Sequence, residues 1–258
     1  MENMEKFQKI NNNILNIITN LDIEYEAMTD KSYKLPLSDA LFCISDIRRN
    51  KIFFDSIQLA IKSKKNQKEI IVVDAGSGTW ILWFFAIYLW ASKCVFIEHN
   101  PYTIEVSKST SKKLGIYDKC EFILADASKI NLEENYDILI SETIIASMIE
   151  DFHIIMKNLI KYTNKNAIII PHKLDIFIDE LDINKNTIYE HILYYDMGNW
   201  FSSHKIKIHK LETNSVLFGA RIYLYGNITI KNKDCPLFLN NIEFDFKKEK
   251  HPIFEFEY

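Results

Sequence analysis

Near the N-terminus, apolar residues recur at helical spacing (Phe7, Ile10, Ile14, Ile17, Ile18), which predicts an amphipathic helix from Met1 to about Asn20. Leu21 to Ser38 lacks that pattern, and Pro36 stops any helix there. Ser38 or Ser45 would cap the next helix, which carries Ile47, Ile52, Phe53, Ile57, Ala60 and Ile61 on its apolar face. A solvated connection, Lys62 to Lys68, leads into Ile70-Ile71-Val72-Val73, β-branched and apolar throughout, as in a strand covered on both faces. Short apolar runs at Cys94–Ile97, Glu121–Leu124, Tyr136–Ile140 and Ala167–Ile170 read as further strands. Between them, Thr79–Ala91, Tyr102–Leu114 and Ile144–Tyr162 read as helices. Strands alternating with helices indicate an α/β fold, a Rossmann-like parallel sheet with helices on both faces.

At Pro171 the period changes. Leu174–Asp179, Lys205–His209, Ala220–Tyr225, Ile242–Phe246 and Ile253–Tyr258 alternate with period two, so a C-terminal antiparallel β unit is expected. The expected organisation is a helical segment over 1–68, a Rossmann-like domain over 69–170 and a β-rich domain over 171–258.

Composition narrows the partners. The chain has 258 residues, 48% hydrophobic and 26% charged, enough for one α/β domain with an appendage. A net charge of −4 and a pI near 6.0 argue against a nucleic-acid partner held by bulk electrostatics. The most lipid-like run, Thr79 to Ala91, is shorter than the roughly 20 residues that span a bilayer, so no membrane partner is expected. Cys43, Cys94, Cys120 and Cys235 form no C-x-x-C pair and no signal peptide is visible, which reads as reduced, mostly core cysteines in a cytoplasmic protein. The histidines show no zinc or iron spacing, so no metal is expected. Trp80, Trp83 and Trp90 read as core, and Asn11-Asn12-Asn13 as compositional bias.

Candidate chemistry gathers at the strand ends. After Val73 come Asp74, Gly76, Ser77 and Gly78; the glycines permit positive φ and close approach of a ligand to the backbone, and the following helix offers free N–H groups. The spacing Asp-x-Gly-x-Gly lacks the third glycine of the dinucleotide pattern. Glu98 ends the second strand about 20 residues on, the distance at which an acid accepts from ribose hydroxyls. His99 is its neighbour. Asp126 follows the third strand, placed for an adenine amino group, and Ala127 offers a backbone N–H to a ring nitrogen. Together these residues point to an adenosine-type cofactor.

The glycine turn resembles the first motif of class I S-adenosylmethionine-dependent methyltransferases. Asp137-Ile138-Leu139-Ile140-Ser141-Glu142 resembles the segment of protein arginine methyltransferases in which a Ser-Glu pair follows a strand. Asp46, Arg49 and Phe53, followed by Ser56-Ile57, are similar to that family's helix before the glycine turn; Ile168-Ile169-Ile170-Pro171 and Tyr194-Tyr195-Asp196-Met197 are similar to its entry into a β-barrel. The resemblance runs from about Tyr25 to Met197. It implies S-adenosyl-L-methionine as cofactor, Arg49 as the fork for the methionine carboxylate, and Glu142 as the first of two acids at the acceptor. The second acid falls on Asp151, with Glu150 beside it and His153 three residues further on from Glu150.

Departures are also legible. Phe53 stands where the family has a Tyr, Thr143–Met148 replaces a loop containing glycine and aromatics, and no Thr-His-Trp triplet occurs. The expected function is methyl transfer to a nitrogen or oxygen of a small molecule or peptide-derived natural product. Protein or peptide arginine is the alternative acceptor, and a non-catalytic cofactor-binding or dimerisation module is the alternative of another class. The catalytic candidates are Glu142, Glu150, Asp151 and His153. The cofactor candidates are Arg49, Asp74, Gly76, Ser77, Gly78, Glu98, His99, Asp126, Ala127 and Glu142. The family resemblance allows a homodimer; the sequence does not give the oligomeric state.

Overall fold

The computed structural model describes residues 2–23, 37–76, 78, 81–133, 135–143, 149–181, 187–196, 205–207, 215–230, 240–243 and 253–255. Helix α1 (Glu2–Thr19) buries Phe7, Ile10, Ile14 and Ile18, the stripe its spacing predicts. A short helix α2 (Leu37–Ile44) precedes α3 (Ile47–Ser63). The cap of α3 is Asp46, not either serine: its carboxylate accepts the Arg49 N–H at 2.9 Å. Ile47 is exposed rather than part of the apolar face, which is built from Phe53, Phe54, Ile57, Ala60 and Ile61.

Five parallel strands follow: β1 (Ile71–Ala75), β2 (Lys93–Glu98), β3 (Cys120–Leu124), β4 (Tyr136–Ser141) and β5 (Thr163–Ile170), in the order β3-β2-β1-β4-β5. The connections reverse direction between β1 and β4, so a crevice opens at their carboxyl ends. Helix α4 (Ile81–Tyr88) is apolar all round and buries every residue from Ile81 to Ile87, as a helix inside a core must. Phe54 packs edge to face on Phe7 and Phe85, which are tilted against each other, with centroids 5.2–5.9 Å apart, and the three rings join α1, α3 and α4. Helices α5 (Pro101–Lys113) and α6 (Ile149–Leu159) complete the layers. At the amino end of the sheet, buried Asp137 accepts the Ile71 N–H at 2.9 Å and the Asn164 amide at 2.8 Å.

Past the cis Ile170–Pro171 peptide lies an antiparallel sheet. Its strands are β6 (Lys173–Leu181), β7 (Thr187–Asp196), β9 (Ser215–Leu224), β10 (Ile228–Ile230) and β11 (Asn240–Glu243). Strand β8 (Lys205–Lys207) pairs separately with β12 (Ile253–Glu255). The period-two reading holds over the described residues; 208–209, 244–246, 256–258 and Met197 lie outside them, and the strand β7 begins well before Tyr194, where the segment that the sequence singled out starts. The β9–β10 turn rests on α3, where the Ser56 hydroxyl donates to the Tyr225 carbonyl at 3.2 Å. A Cβ on Gly226 would fall 2.5 Å from the Leu59 side chain. Among the described residues, no helix is long and apolar enough to cross a membrane.

Of the tryptophans, Trp83 is fully buried and stacks on Phe84 with centroids 4.0 Å apart. Trp80 lies outside the described residues. Trp90 corrects the expectation of a core residue: it is 78% exposed, with φ at 85°. It ends α4 in a Schellman turn, with Ala91 N–H donating to Ala86 and Trp90 N–H to Ile87, the position that favours glycine. Trp90→Gly is expected to raise stability by about 0.5–1 kcal/mol in urea denaturation, because the left-handed strain relieved exceeds the chain entropy added. Unchanged or lower stability would show that the tryptophan packs on something that offsets its strain.

Candidate functional site

The site is built at the crevice from the carboxyl ends of β1, β2 and β4 and the first turn of α3. β1 is fixed by its apolar residues between β2 and β4, and so carries Asp74 into the interior, 1% exposed. Among the described residues, neither carboxylate oxygen of Asp74 has a hydrogen-bond partner. Burial pushes this carboxyl well above the usual range, and the negative charges of Glu142 and Glu98 push it further. The Arg49 charge, and the Trp83 backbone N–H outside hydrogen-bond geometry, offset only part of this.

Gly76 turns the chain with φ of +65°, and its N–H donates to the Ile97 carbonyl at 3.0 Å. A Cβ at Gly76 would meet the Thr143 methyl at 2.1 Å, so the close approach of the turn to the end of β4 requires glycine. Ser77 lies outside the described residues. The Gly78 N–H donates to Glu98 Oε2 at 3.1 Å. Oε1 of Glu98 accepts the backbone N–H groups of His99 at 2.7 Å and Asn100 at 3.0 Å, with the His99 ring nitrogen Nδ1 also at 3.0 Å. The chain's own N–H groups therefore hold this buried carboxylate in line with the glycine turn. His99 itself is exposed.

Arg49 is 1% exposed and reaches across the crevice to Glu142, with Nη2 donating to Oε2. Its guanidinium carbon lies 5.1 Å from the centroid of Phe53. Burial raises the Glu142 carboxyl, the Arg49 charge and hydrogen bond draw it down, and Asp46 pushes it up. Glu142 thus meets the guanidinium directly and Asp74 feels its charge, while Asp46 acts on Glu142 and Glu98 on Asp74, so this end of the crevice is rich in acids, an arrangement suited to a ligand with a cationic centre.

Asp126 is exposed after β3 and is engaged locally. It accepts the Ser128 N–H at 2.9 Å and hydroxyl at 2.5 Å, and pairs with Lys129 at 3.0 Å. The hydrogen bond from the Ser128 hydroxyl is the main reason that its carboxyl sits at about 2. Ala127 is buried, and its carbonyl accepts from the Asn158 amide at 3.1 Å. His153 is half-buried on α6. Glu150 and Asp151 belong to the first turn of that helix, and their side chains lie outside the described residues, as does 144–148.

Sequence reasoning missed several neighbours. Thr143 sits one residue after Glu142 and was findable by adjacency alone. Asn50 is fully buried beside Arg49, and Asn11, placed in a run that reads as compositional bias, is 1% exposed. Its only sequence signal is its place on the apolar stripe, next to Ile10 and three residues before Ile14.

No protein-family model matches the chain. It is 27% identical over 201 residues to the uncharacterized protein MJ1452 of Methanocaldococcus jannaschii, covering 70% of this chain and 74% of that one. Among solved structures it is similar to the Trypanosoma brucei PRMT1 enzyme–prozyme heterotetrameric complex with AdoHcy, with a TM-score of 0.61 and 13% identity over 83% of this chain and 82% of that one. Protein arginine methyltransferase 10 of Arabidopsis thaliana matches with a TM-score of 0.57 and 11% identity over 81% and 86% of the two chains. PRMT6 matches with a TM-score of 0.55 and 10% identity over 81% and 89%. At these identities the likeness is one of fold. The chain has the class I S-adenosylmethionine-dependent methyltransferase fold, in the form it takes in protein arginine methyltransferases.

Proposed function

We propose that this chain, with the fold of protein arginine methyltransferases, is a methyltransferase that uses S-adenosyl-L-methionine and acts on a nitrogen or oxygen of a small molecule or peptide-derived natural product. The observation that carries the reading is Asp74, a buried carboxylate at the switch point of the sheet whose two oxygens have no partner among the described residues. Natural proteins rarely leave such a group orphaned, and a cationic ligand would satisfy it. We assign the other residues to the same ligand. Arg49 is a planar fork for a carboxylate, Glu98 an acceptor for ribose hydroxyls, Gly76 to Gly78 a backbone that permits close approach, and Asp126 with Ala127 the adenine end.

When bound, the cofactor supplies an electrophilic methyl group on a sulfonium that carries its own leaving group. The chain's work is then mainly alignment and exclusion of water, which can supply roughly 7–11 kcal/mol of a barrier. Glu142, whose carboxyl is raised by burial yet held by Arg49, is the group we assign to orient the acceptor and take its proton at a carboxylate oxygen. Glu150, Asp151 and His153 on α6 are candidates for the far side of the acceptor. The likeness to protein arginine methyltransferases favours arginine as the second reading of the acceptor. A non-catalytic module, or a homodimer built on the same fold, is the reading of another class.

Calorimetry with S-adenosylhomocysteine tests the cofactor, and mass spectrometry of products from labelled cofactor and cell extract tests the acceptor. Binding with a labelled small product supports the proposal, and methylarginine would move the acceptor to the second reading. Binding without any product would leave the module. Absence of binding removes every methyltransferase reading. Glu142→Gln is expected to lower turnover about 100-fold or more while sparing S-adenosylhomocysteine affinity; full turnover would remove its catalytic role.

A further inference from the structure

We propose that Asn50 is a positioning residue that sets how Arg49 presents its guanidinium to Glu142, and that through Asn11 it ties the N-terminal helix to the reacting end of the site. The consequence for catalysis rests on the methyltransferase reading; the arrangement itself does not.

Asn50 is fully buried on α3 and its amide is used on both sides. Nδ2 donates to the Ile44 carbonyl at the end of α2, at 2.7 Å, and to Asn11 Oδ1 on α1, at 3.4 Å. Oδ1 accepts from Arg49 Nη1 at 3.3 Å. Acceptors on one side and a guanidinium on the other permit one orientation of the amide. Adjacent side chains on a helix do not ordinarily face each other, so the Arg49–Asn50 contact turns the guanidinium in a specific direction. With the Phe53 ring 5.1 Å from the guanidinium carbon, that direction aims Nη2 at Glu142.

The residue type matters. A leucine would fill the space without accepting from Arg49. An aspartate would keep the shape but lose both donors, and would place a second negative charge in competition with Glu142 for the same guanidinium. An amide avoids both faults. Asn11, at the longer distance, adds less, yet it joins α1 to a network that ends on β4 through Asn50, Arg49 and Glu142.

The test follows the Glu142 carboxyl by carbon-13 NMR titration in the native chain and in Asn50→Ala, Asn50→Ser and Asn11→Ala, with ligand affinity measured also in Asn50→Asp. The other charged groups facing Glu142 (Asp46, Asp74 and Arg49) stay in place in all of them. Loosening the guanidinium removes stabilisation of the charged carboxylate, so the midpoint should rise by about half a pH unit or more in the neutral variants Asn50→Ala and Asn50→Ser, and by less in Asn11→Ala. S-adenosylhomocysteine affinity should fall about fivefold in Asn50→Asp. A variant that melts earlier with the Glu142 midpoint unmoved would show a structural role only and overturn the proposal. Should Asn50→Ala not fold, Asn50→Ser decides, because it removes the amide contact to Arg49 without adding a charge near Glu142. Failure of the native chain to bind S-adenosylhomocysteine would remove the methyltransferase reading, while the titration would still decide the role of Asn50.

Discussion

Arg49→Ala is expected to destabilise the protein by about 3–5 kcal/mol at neutral pH, the cost of leaving the partner of a buried ion pair without its counter-charge. Arg49 is 1% exposed, Glu142 only 18% in its side chain, and Asp74 feels the same positive charge. Without the guanidinium, Glu142 and Asp74 must either remain charged in a poorly hydrated crevice or take up protons. The deficit should therefore shrink on acidification, since both carboxyls become neutral and the folded state no longer carries the penalty. Urea denaturation at acid and neutral pH reads this directly. Arg49→Ala combined with Glu142→Gln should recover part of the loss, because the second change removes one stranded charge. Arg49→Lys should recover little, since an ammonium lacks the planar fork that contacts Asn50 and Glu142 together. If Arg49→Ala is as stable as the native chain at neutral pH, the pair is not what keeps these acids in place.

That expectation differs from the one the sequence supports, and the difference shows what was legible. The motif around Arg49 says that a guanidinium meets a carboxylate. It does not say whose. In the structure the carboxylate is Glu142 of the same chain, and the two readings share one chemistry because a fork of donors serves either partner. The same holds for Glu98. Its place at the end of β2 follows from hydrophobic pattern and spacing, but its partners are backbone N–H groups of Gly78, His99 and Asn100, and backbone donors carry no residue signature.

The parallel sheet was legible because its strands hold short apolar runs, the first four followed within two residues by an acid (Asp74, Glu98, Asp126 and Glu142). The antiparallel half was legible in period but not in pairing, since pairing is set by contacts between segments far apart in the chain. Local polar residues were the hardest. Ser45 and Asp46 are equally good caps by type, and only the backbone geometry selects Asp46. Asn11 sits in a run of three like residues, and only burial beside Asn50 distinguishes it from its neighbours. Trp90 reads as core by type, whereas the left-handed turn that ends α4 carries it outward.

Asp74→Asn should have the opposite effect to Arg49→Ala and a distinct pH signature. Asp74 is buried with no hydrogen-bond partner among the described residues, and desolvation holds its folded-state carboxyl well above the unfolded value near 3.8. The unfolded chain therefore sheds this proton first as pH rises. Between the unfolded and folded values the folded state binds more protons, so stability falls with rising pH across that window. The contribution is fully present below the unfolded value and lost by the time pH passes the folded one. Glu142, also raised, adds a slope of the same sign. Asp126, held at about 2 and exposed, acts in the opposite sense only in acid. An amide at 74 cannot ionise, so the variant should gain about 1–3 kcal/mol at neutral pH and keep only the shallower slope due to Glu142. Denaturation across the range from acid to neutral measures both. The same substitution removes the charge proposed to meet the cationic end of the cofactor, so S-adenosylhomocysteine affinity should fall about tenfold or more. A more stable protein that binds its ligand less well is the pattern expected where strain is kept for function. An Asp74→Asn variant that is less stable, with the native slope intact, would mean that the carboxylate has a partner in solution and is not held in reserve for a ligand.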